Sequence, residues 1–270
     1  FGSSQAQRPA RVVTPPPRSR SHCLVQCWEA PDSSGHIATE ADMDCWDKAR
    51  VDADADWDGE VPVRTVFGYG SLIFRPGIPF TRAYPACVRG FMRRFWQRSC
   101  DHRGTPQAPG RVVTLVRLGD GAPDCPDISV AEGDAVHGIV YEVAEADWPR
   151  ALETLDCRER HGYVRTVADV FEPGAASDEP PFGKAVVYYA YNPEANAAYT
   201  GPEAIEATAE VIADAVGPSG RNDEYLFRLE AELQDRGLPV EGYLAQLAAA
   251  VRAVQQQRGV PPAPADVLPR

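Results

Sequence analysis

From Thr65 onward the chain places its β-type runs first and its helical periodicity last, and that order limits the folds open to it. Runs rich in β-branched and aromatic residues cover Thr65–Gly70, Arg111–Leu118, Ala135–Val143, Val164–Phe171 and Ala185–Tyr191. Ala86–Ser99 reads as one long strand or a bent pair. The Gly- and Pro-dense stretch from Asp101-His102-Arg103-Gly104 to Pro109-Gly110 is a loop. One helix is expected among the strands, Asp147–Arg158, with Leu152 and Leu155 at helical spacing and Trp148 a turn earlier. The last third changes period. Pro202–Ala215 sets Ile205, Ala209 and Ile212 on one face, Asn222–Arg236 does so with Leu226, Leu229 and Leu233, and Val240–Gln255 with Leu244, Leu247 and Val251. Gly217-Pro218 stops the first of these. Strands followed by helices make an α+β pattern, here a small barrel flanked by helices.

The first 62 residues lack this periodicity. Pro15-Pro16-Pro17 and the alternating Asp52, Asp54 and Asp56 favour a solvated tail, with order expected from about Arg64. The chain divides into a disordered or targeting extension (1–62), a folded domain (63–258) and a frayed proline-rich end (259–270). The formal net charge of −12 is unevenly spread. Residues 1–28 hold four arginines and no acid, whereas 29–60 crowd eleven acids against Lys48 and Arg50. No basic face is evident, which argues against nucleic acid as a partner. No apolar run approaches the ~18–20 residues that span a bilayer. Seven cysteines without framework spacing read as reduced thiols in a reducing compartment. That compartment is the cytoplasm, or an organelle such as a plastid if the Arg-, Ser- and Pro-rich residues 1–28 end a transit peptide. Cys23-x3-Cys27 is half a zinc site with no second pair, and the five histidines show no metal spacing, so no metal is expected.

Two stretches carry chemistry-bearing residues. Val66-Phe67-Gly68-Tyr69-Gly70-Ser71-Leu72 is a strand ending in glycines. Such an ending can turn sharply and expose backbone N–H groups, which bind carboxylates or a developing oxyanion. The run lacks the third glycine of a dinucleotide fingerprint, and Ser71 is not flanked as in G-x-S-x-G. A plain strand-to-loop turn fits these residues equally well. The second stretch, Leu155-Asp156-Cys157-Arg158-Glu159-Arg160-His161-Gly162-Tyr163, sets Glu159 at a helix end between two arginines. The helix end and partial burial raise such a carboxyl's pKa, and a paired arginine lowers it. A glutamate tuned toward neutrality can take a proton and return it. The alternative is a solvated Arg-Glu-Arg surface trio. Cys157 and His161 mimic a thiol–imidazole dyad, without an evident orienting Asn or Asp. Asp101, Arg103 and Arg111 read as a charged rim, His102 as a loop residue suited to an anion or simply solvated, and Phe95 and Trp96 as core. Tyr225 is a helix tyrosine whose hydroxyl either reaches a site or is half-buried.

Six blocks, taken in order, resemble the ChaC-like γ-glutamylcyclotransferases of the glutathione-specific branch. They are Val66–Ile73, Arg94-Phe95-Trp96-Gln97, Asp101–Gly104, Pro109–Leu115, Leu155–Tyr163, and Gly217-Pro218-Ser219-Gly220-Arg221-Asn222 with Glu224-Tyr225-Leu226. The resemblance spans roughly residues 64–250. It implies a small mixed β-barrel with peripheral and C-terminal helices, and an enzyme that cleaves glutathione to 5-oxo-L-proline and Cys-Gly without a cofactor. It implies Glu159 as the catalytic acid and base, the loop Val66, Phe67, Gly68, Tyr69, Gly70, Ser71 and Leu72 as the glutamyl-binding segment, and Tyr225 as an accessory substrate contact. It leaves the oligomeric state open. The family commonly has a Lys-Gly-Gly-Tyr ending where this chain has Arg160-His161-Gly162-Tyr163. Cys157 replaces a more usual aromatic or polar residue, and the segment Gly119–Glu132 looks longer than typical. These departures leave other γ-glutamyl amino acids or amines as alternative substrates, and a non-catalytic binding module as an alternative of another class.

Overall fold

The computed structural model describes residues 63–118, 135–159, 163–190 and 196–260. Five strands close a barrel. β1 (Thr65–Gly68) pairs antiparallel with β5 (Ala135–Glu142), which pairs antiparallel with β2 (Arg82–Arg89). β2 continues to β6 (Tyr163–Phe171) and β6 to β7 (Gly183–Ala190), again antiparallel. β7 then returns to β1 as a parallel pair at Val66 and Val186, so the barrel is mixed. The expected long strand or bent pair resolves into β2 and β3 (Phe91–Ser99). Gly90 breaks them with φ +77°, a left-handed backbone that a side chain would strain.

β3 leaves the barrel and pairs with β4 (Gly110–Arg117) as a separate two-stranded ribbon. Arg94 faces Thr114 and Gln97 faces Val112, so Phe95 and Trp96 stand opposite Val113 alone. This is a β-bulge, which bends the ribbon and re-aims its residues. Phe95 and Trp96 are both buried, as the sequence suggests.

Four helices surround these sheets among the described residues: α1 (Trp148–Arg158), α2 (Ile205–Asp214), α3 (Asn222–Asp235) and α4 (Gly242–Arg258). Most of their apolar stripes are buried as read, while Trp148, Leu152 and Ile205 are half-buried. Leu155, Ala209, Ile212, Leu226, Leu229, Leu233, Leu244, Leu247 and Val251 are all fully enclosed. Each such leucine contributes about 1.5–3 kcal/mol by leaving water, which is why period alone located these helices. α2 starts three residues later than expected, because Glu203 is drawn off by Arg111 before the helix begins. Between α2 and α3 lies a two-residue ladder that the sequence reading did not foresee, β8 (Val216–Gly217) with β9 (Gly220–Arg221). No helix among the described residues is long and apolar enough to cross a membrane. The expectations for residues 1–62, Gly119–Glu132, His161 and 261–270 fall outside the described residues.

Candidate active site

The glycine-ended strand closes on one 3-10 turn. Its hydrogen bonds begin with Ile73 N–H to the Gly70 carbonyl at 3.0 Å and Phe74 N–H to the Ser71 carbonyl at 3.2 Å. The N–H groups of Ser71 and Leu72 precede the first of these bonds, so the turn supplies them with no acceptor. Neither Gly68 nor Gly70 takes a positive φ. Space, rather than turn freedom, demands them. A Cβ on Gly68 would lie 2.7 Å from Leu72 Cβ, and one on Gly70 would lie 2.5 Å from Val113 Cγ1 and 3.2 Å from the Tyr225 hydroxyl. The loop is therefore pressed against β4 and α3. Tyr141 fixes it by donating its hydroxyl to the Leu72 carbonyl at 2.7 Å. Val66 and Phe67 are wholly buried in the barrel wall, with their backbones in its ladders, so what the loop presents comes from Tyr69 onward.

Glu159 approaches this loop from the end of α1. It caps the helix, with its N–H bonded to the Leu155 carbonyl at 2.7 Å. Asp156 anchors that end of the helix to the barrel through Arg165 at 3.2 Å and the Tyr188 hydroxyl at 2.7 Å. Arg158 then crosses to the loop. Its Nη2 donates to Ser71 Oγ at 2.8 Å, and its Nη1 to the carbonyls of Arg75 at 2.5 Å and Pro76 at 3.1 Å. Its Nε lies 3.6 Å from Glu159 Oε1. The Glu159 side chain is 18% exposed, enough for a substrate to touch and too little for full hydration. Burial pushes its carboxyl above the ordinary glutamate pKa, and the Arg158 charge opposes that without cancelling it.

Three tyrosines complete the cluster along one edge of β4. Residues 111, 113 and 115 turn their backbone groups toward the same edge, away from β3. Among the described residues no strand covers this edge, and side chains take its place. Asn222, fully buried at the start of α3, accepts from Arg111 N–H at 2.6 Å and donates to the Arg111 carbonyl at 2.7 Å. One helical turn later, the Tyr225 hydroxyl meets the Val113 backbone N–H. Tyr163 donates its hydroxyl to the Val113 carbonyl at 2.7 Å. Tyr69 reaches the Leu115 backbone and the Thr114 side chain. Deep burial first, and the nearby Glu159 charge in addition, hold all three phenols above their ordinary pKa, so they stay neutral hydroxyls. The Tyr225 ring is fixed edge-on by Phe74 at 6.1 Å and Phe95 at 5.9 Å, with the Arg103 guanidinium 5.8 Å from its centre.

The structure thus gathers Tyr69, Gly70, Ser71, Leu72, Glu159 and Tyr225, and leaves Val66 and Phe67 behind them as wall. The expected rim is only partly one. Arg103 lies beside Tyr225, bonded to the Arg221 carbonyl at 2.9 Å and to Glu224 at 3.4 Å. Arg111 is instead buried and pairs with both oxygens of Glu203, at 2.7 and 2.8 Å, because it clamps α2 to β4. His102 is exposed and hydrogen-bonds Ser219 at 3.1 Å, while Asp101 is half-buried. The sequence reading did not assign Tyr163, the Val113 backbone or the crossing of Arg158 to the loop. Tyr163 and Arg158 flank Glu159 in its own motif, which was the available signal; Val113 lies in the block Pro109–Leu115, but a backbone group leaves no mark in residue type. Among the described residues no group of His, Cys, Asp and Glu is placed to hold a metal ion.

Residues 64–254 match the family model described as ChaC-like protein. The chain is 38% identical to Gamma-glutamylcyclotransferase 2-3 of Arabidopsis thaliana, over 70% of this chain and 88% of that protein. It is 34% identical to the Glutathione-specific gamma-glutamylcyclotransferase of Saccharomyces cerevisiae, over 67% and 93%. Among solved structures, the glutathione-specific gamma-glutamyl cyclotransferase from yeast superposes with a TM-score of 0.61 at 32% identity, covering 71% of this chain and 98% of that one.

Proposed function

The chain belongs to the ChaC-like family, and from that premise we propose that it is an intramolecular cyclotransferase that cleaves glutathione to 5-oxo-L-proline and Cys-Gly, with residues 63–258 as the working unit. The names of both relatives support a γ-glutamylcyclotransferase, and that of the yeast relative supports glutathione as the substrate. The observation that carries the chemistry is one shielded carboxyl, Glu159, raised in pKa by burial and set among neutral hydroxyls and a turn with spare N–H groups.

The substrate's α-ammonium cannot attack while protonated. Glu159 takes a proton from it, and the raised pKa makes the later return of that proton easier. The freed nitrogen bonds to the γ-carbonyl carbon of the same molecule and closes a five-membered ring. Both reacting groups are already joined, so holding the bent rotamer supplies much of the rate, and no second reactant or cofactor is required. The N–H groups of Ser71 and Leu72 suit the substrate α-carboxylate. Tyr225 suits the oxyanion. Its hydroxyl lies beside the Val113 backbone N–H and among the described residues donates to no carbonyl, so its proton is left to donate, whereas Tyr163 spends its proton on the Val113 carbonyl. When the tetrahedral centre collapses, Glu159 gives its proton to the departing nitrogen, the C–N bond to Cys-Gly breaks, and the surplus proton of the ring nitrogen passes to the freed amine, which leaves as an ammonium. Val66, Phe67 and Gly68 act as the support of the loop.

A reducing compartment, cytoplasm or organelle, suits the free thiols of Cys87, Cys100 and Cys157. The test is a product assay: purified protein with glutathione releases 5-oxoproline and Cys-Gly in equal amounts, and acts far more slowly on γ-glutamyl-alanine. Equal rates on the two would overturn glutathione specificity, and no product from either would overturn the enzyme.

A further inference from the structure

The groups described so far account for the glutamyl end of the substrate. Glutathione carries a second carboxylate, on the glycine, at most ~7 Å of extended chain beyond the bond that breaks. Three guanidiniums lie beside the site. Arg158 is 3.6 Å from Glu159, Arg103 is 5.8 Å from the Tyr225 ring, and Arg75 is near enough to repel both. Two of them are committed. Arg158 holds Ser71 and the carbonyls of Arg75 and Pro76, and Arg103 holds Glu224 and the Arg221 carbonyl.

Arg75 is different. Its carbonyl is pinned by Arg158, so its stem is anchored on the loop, yet its side chain is exposed. Among the described residues its guanidinium has no hydrogen-bond or ion-pair partner. The chain has 39 acids against 27 Lys and Arg, so partners are not scarce. A free guanidinium kept beside two others, in an acidic protein, faces like charge on its protein side and offers five donors to an incoming anion.

We propose that Arg75, backed by Arg103, forms a second anion subsite that takes the C-terminal carboxylate of the γ-glutamyl substrate. The inference rests on the function proposed above and adds a reason for preferring a peptide with a free terminal carboxylate to a simple γ-glutamyl amine. The planar fork of an arginine matches a carboxylate through two hydrogen bonds, which a neutral amide cannot accept in the same way.

Binding measured in the Glu159→Gln background separates recognition from chemistry. The ligands are glutathione and its glycinamide analogue, titrated calorimetrically. The Glu159→Gln protein binds glutathione tenfold to a hundredfold more tightly than the amide, the range of a charge-assisted hydrogen bond. Adding Arg75→Ala abolishes that preference by weakening glutathione alone, and Arg75→Lys restores part of it. Equal affinity for the two ligands in the Arg75-intact protein, or equal weakening of both by Arg75→Ala, overturns the subsite and leaves the cyclotransferase reading standing. Intact discrimination in a wild-type protein that makes no 5-oxoproline upholds the subsite and overturns the chemistry.

Discussion

Replacing Asn222 by alanine probes the joint between the fold and the site. Asn222 has no exposed surface, and its amide satisfies both backbone groups of Arg111 at 2.6 and 2.7 Å. Alanine leaves a buried N–H and a buried C=O without partners, each costing about 1–3 kcal/mol. A water entering the vacated amide volume recovers part of that, so the net loss is about 3 kcal/mol. Urea unfolding followed by circular dichroism reads this as a lower midpoint with an unchanged slope. The second readout is kcat. Tyr225 sits one turn along the same helix, so losing the clamp lets its hydroxyl drift from Val113, and kcat per folded molecule falls about tenfold. Leu247→Ala is the control. It is fully buried in α4 and costs a similar 2–5 kcal/mol, but it should leave kcat near wild type. Asn222→Ala within 0.5 kcal/mol of wild type, or a kcat matching that of Leu247→Ala, would refute the claim that the β4 edge is held by side chains and aims the site.

Gly70→Ala forces a methyl to within 2.5 Å of Val113 Cγ1 and 3.2 Å of the Tyr225 hydroxyl. Overpacking of this kind costs about 1–3 kcal/mol. The loss in kcat/KM for glutathione should exceed the loss in stability, and a variant with native kinetics would mean that the loop does not abut Tyr225. Activity needs ionised Glu159, whose pKa burial holds above the ordinary value, so the acid limb of log kcat/KM rises with unit slope through a midpoint above that of a free glutamate. Arg158→Gln removes the charge that opposes burial and moves this limb to higher pH; a limb that stays in place would show that the pair at 3.6 Å does not tune the carboxyl.

Much of the fold was legible because burial is periodic. The three C-terminal stripes and the strand runs name residues that are mostly enclosed, and the order β-then-α already pointed to an α+β fold. The partition of strands was not legible. Nothing local in Phe91–Ser99 distinguishes a barrel strand from the ribbon strand it becomes, since pairing partners lie far along the chain and only Gly90 hints at the break. In the site, glycines were read for conformational freedom, whereas the neighbours that make Gly70 obligatory come from β4 and α3. Arg111 and Arg103 look alike as loop-edge cations in sequence. One finds Glu203 and disappears into the core, while the other stays by Tyr225. Such differences depend on tertiary neighbours that no spacing rule carries.

The claim on which the account turns is that one poorly hydrated carboxyl carries the proton. Its raised pKa means that the native state holds that proton more tightly than the unfolded chain does, so stability falls as pH rises through the window between the two values and the cost is complete above it. Glu159→Gln removes both the base and that cost. Measured side by side at pH 7, the variant should release 5-oxoproline from glutathione 10²–10⁴-fold more slowly than wild type while unfolding at the same or a higher urea concentration. A variant that keeps near-native turnover, or that loses turnover only because it has unfolded, would contradict the assignment.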